Sequence, residues 1–158
     1  MKLAVTCMLA LSTSLSAFAT QPLIIKTNFP GYTMDEDRII ETCEVHPNFV
    51  AIKKTYSNGF EFVSNVPSIF HGNIKQLIEE AAKAKLIVSD NSWCDGATTD
   101  ITAYTDAQGE NRTEFSLFNT GSCGNKGNER RGVAAKALID IVSTHCPTVH
   151  QARQITIQ

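Results

Sequence analysis

Ile39-Ile40-Glu41-Thr42-Cys43-Glu44-Val45-His46-Pro47-Asn48-Phe49-Val50-Ala51-Ile52-Lys53-Lys54-Thr55-Tyr56-Ser57-Asn58-Gly59-Phe60-Glu61-Phe62-Val63 reads as three strands joined by two tight turns. Residues 39–46 form the first strand, and His46-Pro47-Asn48-Phe49 turns the chain with proline at its second place. Residues 49–56 return, and Asn58-Gly59 is the strongest short hairpin signal a sequence can carry. A tight first turn sets Cys43 opposite Ile52 and Val45 opposite Val50. One face is then apolar and contains Cys43, while Thr42, Glu44 and Lys53 point the other way. The third strand is less regular: Phe60 and Phe62 fall on the opposite face in that register, which calls for a bulge or a second covered face.

Working outward, Asn73 opens a helix with Gln76 in capping-box position. Ile74, Leu77, Ile78 and Ala81 recur at helical spacing, and Glu79 precedes Lys83 by one turn. The helix is expected to reach Lys85 or Leu86, with Ile87-Val88 a short strand and 89–96 a polar loop. Residues 98–105 alternate as a strand, 106–109 turn, and 112–118 return with Phe115 and Leu117 on one face. After a loop over 120–128, residues 129–145 read as a helix buried along Ala134, Ala137, Leu138, Ile141 and Val142, which Pro147 ends. Upstream, Leu23-Ile24-Ile25 reads as an edge strand. The expected fold is α+β in the order βββ-α-ββ-α: an antiparallel sheet of about five strands with two helices on it and two disulfides.

The whole chain has 158 residues, with 14 Lys+Arg against 16 Asp+Glu, a formal charge of −2. That balance excludes a polybasic nucleic-acid binder, an acidic tail and a disordered chain. Five prolines and nine glycines exclude a fibrous or linker-like protein. Met1-Lys2, an apolar stretch over 3–15 and Ala17-Phe18-Ala19 read as a signal peptide cleaved near Ala19. That stretch is too short to span a bilayer and no later one qualifies, so no membrane span is expected. A single domain over 20–158 is exported to the periplasm or secreted. Its 139 residues carry 13 basic against 16 acidic side chains, a charge of −3. In a eukaryotic host, Asn111-Arg112-Thr113 would be a glycosylation sequon.

Cleavage also removes Cys7 and leaves Cys43, Cys94, Cys123 and Cys146, an even set that reads as a disulfide framework with three possible connectivities. The 98–118 hairpin turns near residue 108, and Cys94 and Cys123 lie almost equally far from that point. Opposite positions of a hairpin are within disulfide reach. Cys94 is therefore paired with Cys123, and Cys43 with Cys146.

Cys43-x-x-His46 and Cys146-x-x-x-His150 resemble zinc-ligand spacing, but export favours oxidation and Cys43 and His46 leave opposite faces of a regular strand. No metal or other cofactor is expected. No serine sits in a nucleophile elbow, so His46, His71, His145 and His150 have no hydrolase motif around them. Asp95, Asp100 and Glu114 are candidate acid/base carboxylates. The most distinctive stretch is Gly121-Ser122-Cys123-Gly124-Asn125-Lys126-Gly127-Asn128-Glu129-Arg130-Arg131-Gly132, glycine-rich, cationic and leading into a predicted helix N-terminus that favours anions. It lacks the Gly-Lys-Ser/Thr ending of a phosphate loop.

Trp93 and Asp95 join Lys126, Arg130 and Arg131 on a surface that Cys94–Cys123 would staple. Aromatic and arginine anchors on a rigid surface suit protein recognition. The expected function is an exported inhibitor or immunity-type protein occluding an enzyme with an acidic cleft, such as a cell-wall hydrolase. The alternatives are a small hydrolase using carboxylate/His chemistry beside the 89–96 loop and a binder of a small anionic ligand at the 121–132 loop. An unpaired edge strand leaves room for a homodimer.

Overall fold

The computed structural model of the chain describes residues 21–31, 38–70, 73–90, 96–105, 112–122 and 125–146. The strands are β1 (Ile24–Phe29), β2 (Ile39–Val45), β3 (Phe49–Tyr56), β4 (Glu61–Pro67), β5 (Lys85–Ser89), β6 (Thr98–Tyr104), β7 (Glu114–Asn119) and β8 (Gly127–Arg131). Helices α1 (Ile74–Ala82) and α2 (Val133–His145) follow β4 and β8. The strands form one sheet in the order β4-β3-β2-β1-β6-β7-β8-β5, with every neighbouring pair antiparallel. The antiparallel α+β class stands, but about five strands becomes eight and the element order becomes ββββ-α-ββββ-α.

Three of the added or displaced strands have physical reasons. The segment at 23–25 belongs to a longer strand in the middle of the sheet, because Leu23 and Ile24 are buried and β1 needs a neighbour on each side. The helix expected to reach 85 or 86 stops at Ala82, and β5 takes the chain from Lys85. Residues 129–131, expected to open the last helix, extend instead and pair with β5; Gly132 separates them from α2. Glu and Arg favour helix in isolation, and the tertiary ladder overrides that preference.

The β2–β3 hairpin has the expected register, with Cys43 opposite Ile52 and Val45 opposite Val50. The irregular third strand is explained by a three-residue turn. Tyr56 N donates to Phe60 O, Gly59 N to Tyr56 O, and Gly59 takes a φ of 81° that favours glycine. The added residue brings Phe62, Ser64 and Val66 onto the face of Cys43, opposite Lys54, Ile52 and Val50.

Both helices pack on that face. Ile78 and Ala81 of α1 and Ala135, Leu138 and Val142 of α2 join Ile24, Val45, Ala103, Phe115 and Leu117 in one buried cluster. Asn73 Oδ1 accepts from Gln76 N at 3.2 Å, capping α1, while the Gln76 side chain bonds Glu80 rather than closing the box. At the far end of α2, Cys43 and Cys146 form a disulfide, as expected. It is the one disulfide among the described residues; Cys94 and Cys123 lie outside them, as do residues 1–20 with the expected leader and its Ala19 cleavage point. Among the described residues no helix is long and apolar enough to cross a membrane.

Candidate binding edge

The end of the sheet formed by β7, β8 and the edge strand β5 sets exposed charged side chains beside a cleft. A turn made by glycines shapes it. After β7, Gly121 adopts a φ of 77°, and a side-chain carbon there would lie 2.6 Å from Gly127 N. One on Gly127 would lie 2.8 Å from Ser89 Oγ and 2.9 Å from Thr120 O. Asn119 Oδ1 accepts from Gly121 N, and Ser122 and Asn125 exchange backbone hydrogen bonds. Gly121 and Gly127 therefore let backbones approach closely. The stretch does not lead straight into a helix N-terminus, because β8 intervenes.

Where β8 parts from β7, the guanidinium of Arg130 takes over backbone acceptors. Nε donates to Ser116 O at 2.9 Å, and Nη1 donates to Ala82 O and Ala84 O at 2.9 Å each. The group also stands 5.0 Å from the centre of the Phe115 ring. Arg130 thus fastens β7 to the turn between α1 and β5, and its Nε and Nη1 donors are committed to the fold. Arg131 and Lys126 are exposed. Arg131 Nε lies 3.6 Å from Glu129 Oε2, and Lys126 Nζ lies 2.7 Å from Asp90 Oδ1. Exposed pairs of this kind contribute little to stability and exchange partners readily.

The register brings in a residue that sequence reading missed. Lys85 stands directly opposite Arg131 in the β5–β8 ladder, on the same face as Ile87 and Glu129. Beside this pair lies a cleft of about 300 Å³ lined by Ile87, Phe118, Asn119, Asn128, Glu129 and Arg131, among others. The size is at the low end for small-molecule sites. Lys85 was concealed because the sequence placed it at a helix end. Gly132 was the available local sign that a helix could not run on from residue 129.

Trp93 and Asp95 lie outside the described residues. The flanks of their segment are held: Asp90 contacts Lys126, and Thr120 N donates to Thr99 O while Thr99 N donates to Thr120 Oγ1.

The other candidates are not assembled into a site. Asp100 and Glu114 share the helix-free face. Asp100 accepts from Asn119 and Thr102, whereas Glu114 lies opposite Tyr104, four residues along β6. That is roughly 13 Å along a strand, beyond the spacing of a glycosidase carboxylate pair. Burial, then nearby Glu114, pushes the Tyr104 hydroxyl above its ordinary range, while Arg112 stacks over the ring. His46 is buried, with its ring stacked on Phe49 at 4.1 Å and Nε2 3.2 Å from Glu44 Oε2. His145 meets the edge of Phe70; His71 and His150 fall outside the described residues. The sulfurs of the zinc-like spacing are joined to each other, and no group of three or more ligand residues gathers among the described residues.

No family model, curated protein or solved structure matches the chain, so the chemistry of this edge rests on its own geometry.

Proposed function

We propose that the protein is a small exported binding protein, of the inhibitor or immunity type, that blocks a target enzyme by covering a cleft rich in carboxylates. The observation that carries this reading is the pairing of Lys85 with Arg131. Like charges directly opposite in a ladder repel; Glu129 offsets part of this at Arg131, and a partner carboxylate seated between Lys85 and Arg131 would complete the neutralisation. Glycosidases of the cell wall work through paired carboxylates, which makes a cell-wall hydrolase the target class of best fit. Lys126 extends the cationic edge, and Arg130 supports it from behind. Close packing at Gly121 and Gly127 holds the two ends of the glycine-rich turn before any partner arrives, which lowers the ordering cost of association.

Trp93 and Asp95, on the segment that begins after Asp90, are the proposed aromatic and polar contacts at the rim. A Cys94–Cys123 bond would staple that segment to the glycine-rich turn. The leader and the disulfide support export to the periplasm or medium, where such bonds persist. The cleft beside Arg131 favours one second reading, a small anionic ligand.

Affinity capture from the native envelope and medium with the processed, oxidised protein separates these readings. The expected result is a stoichiometric enzyme whose activity falls as the complex forms. Turnover of a glycoside or peptide panel by the protein alone would overturn the reading in favour of a hydrolase. Saturable uptake of a small anion with no protein partner would overturn it in favour of ligand binding.

A further inference from the structure

The opposite edge of the sheet carries a second interaction surface, and we infer that β4 pairs with β4 of a second copy of this chain in an antiparallel, two-fold arrangement. Tyr56 N donates to Phe60 O and Ser68 N donates to Asn48 O, which fixes the even-numbered residues of β4 as those bonded to β3. Strand alternation then turns the main-chain groups of Glu61, Val63 and Asn65 outward, away from the sheet. Between Glu61 and Pro67 this edge holds no charge and no proline. Its side chains are open to solvent on both faces, with Phe62 49%, Val63 56% and Val66 47% exposed. An apolar, uncharged edge whose outward amides meet no strand among the described residues is a template for strand addition.

The sequence of the edge is complementary to itself. In the register centred on Ser64, Val63 meets Asn65 of the second copy in a hydrogen-bonded pair, and Asn65 meets Val63. Phe62 meets Val66 in the closer, non-hydrogen-bonded pair, where aromatic and β-branched side chains gain most. Both Phe62–Val66 pairs fall on one face, one on either side of the Ser64 pair that lies on the axis, and so form two apolar contacts about 13 Å apart. Glu61 meets Pro67, whose missing N–H limits the ladder to about six hydrogen bonds. The two Glu61 carboxylates stand at opposite ends, each 2.7 Å from Lys53 of its own copy. The β5 edge, by contrast, sets Lys85 beside Arg131, so two such edges repel each other. A two-fold β4 contact therefore closes at two copies and leaves both cationic edges free at the ends of a continuous sheet.

The test is sedimentation velocity on the processed, oxidised protein over a range of concentrations, paired with amide exchange at Glu61, Val63 and Asn65. A dimer is expected, with protection of those amides rising as it forms. Ser64→Lys places two ammonium groups face to face on the axis. Val63→Pro removes an outward donor that β3 does not use. Each is expected to weaken dimerisation at least about tenfold while leaving the far-ultraviolet dichroism unchanged. A wild-type protein that stays monomeric at all concentrations overturns the inference, as does a dimer that survives both substitutions. Concentration-independent protection of the β4 amides in a monomer also overturns it, assigning the edge to another part of the same chain.

Discussion

Replacing Cys43 and Cys146 together with alanine is expected to lower the free energy of unfolding by about 3–5 kcal/mol. The bond joins residues 103 apart in sequence, and closing a loop of that size removes about 4–5 kcal/mol of chain entropy from the unfolded state. Its native surroundings add to the effect. Cys43 is a core residue of β2, Cys146 is the C-cap of α2, and Lys26 Nζ donates to Cys146 O at 3.0 Å. Loss of the bond therefore frees the end of the helix that covers the sheet. Urea unfolding of the oxidised wild type and the double variant measures the difference. A loss below about 1 kcal/mol would mean that packing alone holds α2 in place.

The second large effect runs the other way. Lys26 and Glu41 are only 8% and 5% exposed, on neighbouring central strands. Burial lowers the Lys26 ammonium below its ordinary range, against the pull of Glu41. Burial likewise raises the Glu41 carboxyl, against Lys54, Lys26 and a hydrogen bond from Asn28. At both groups desolvation outweighs attraction. Replacing the two together, Lys26→Met with Glu41→Leu, is expected to raise stability, but by less than the gain of about 1–4 kcal/mol for other buried ion clusters exchanged for apolar groups, because the buried Cys146 O then loses its donor. Each single change leaves a charge without its partner, so both singles should fall below the double.

The pH dependence has a definite sign. Between the ordinary carboxyl value of 4.5 and the raised value of Glu41, the folded protein holds a proton that the unfolded chain has released. Stability relative to the double variant therefore rises as pH falls through that window. Between the lowered value of Lys26 and 10.5 the unfolded chain holds the extra proton, and relative stability rises as pH climbs. Denaturant midpoints across pH test both limbs; a flat difference would place the two groups in water.

What was legible in the sequence was local. Period-two alternation and the Pro47 turn set the β2–β3 register, and Phe115 and Leu117 were correctly placed on one buried face. The 98–118 hairpin gave a reason to pair Cys43 with Cys146 before any long-range contact was known. What escaped was held by distant pairing. Gly127-Asn128-Glu129-Arg130-Arg131 has neither alternation nor β-branched residues, and it is a strand because Lys85–Ser89, some forty residues earlier, supplies its ladder. Arg130 and Arg131 look alike in sequence. One is committed to the carbonyls of Ser116, Ala82 and Ala84, and the other faces solvent, a distinction set by where β8 leaves β7. Asn58-Gly59 marks the turn but not its length, and the third turn residue decides which face of β4 carries Phe62.

The pairing of Lys85 with Arg131 is the centre of the functional account, and charge reversal of the two together tests it most directly. Lys85→Glu/Arg131→Glu should bind the captured enzyme about a hundredfold more weakly than wild type in low salt, with a far shallower dependence on ionic strength. Titration calorimetry at several salt concentrations, on protein whose unfolding midpoint matches wild type, supplies the measurement. Equal affinity and equal salt dependence for the two proteins would contradict the account.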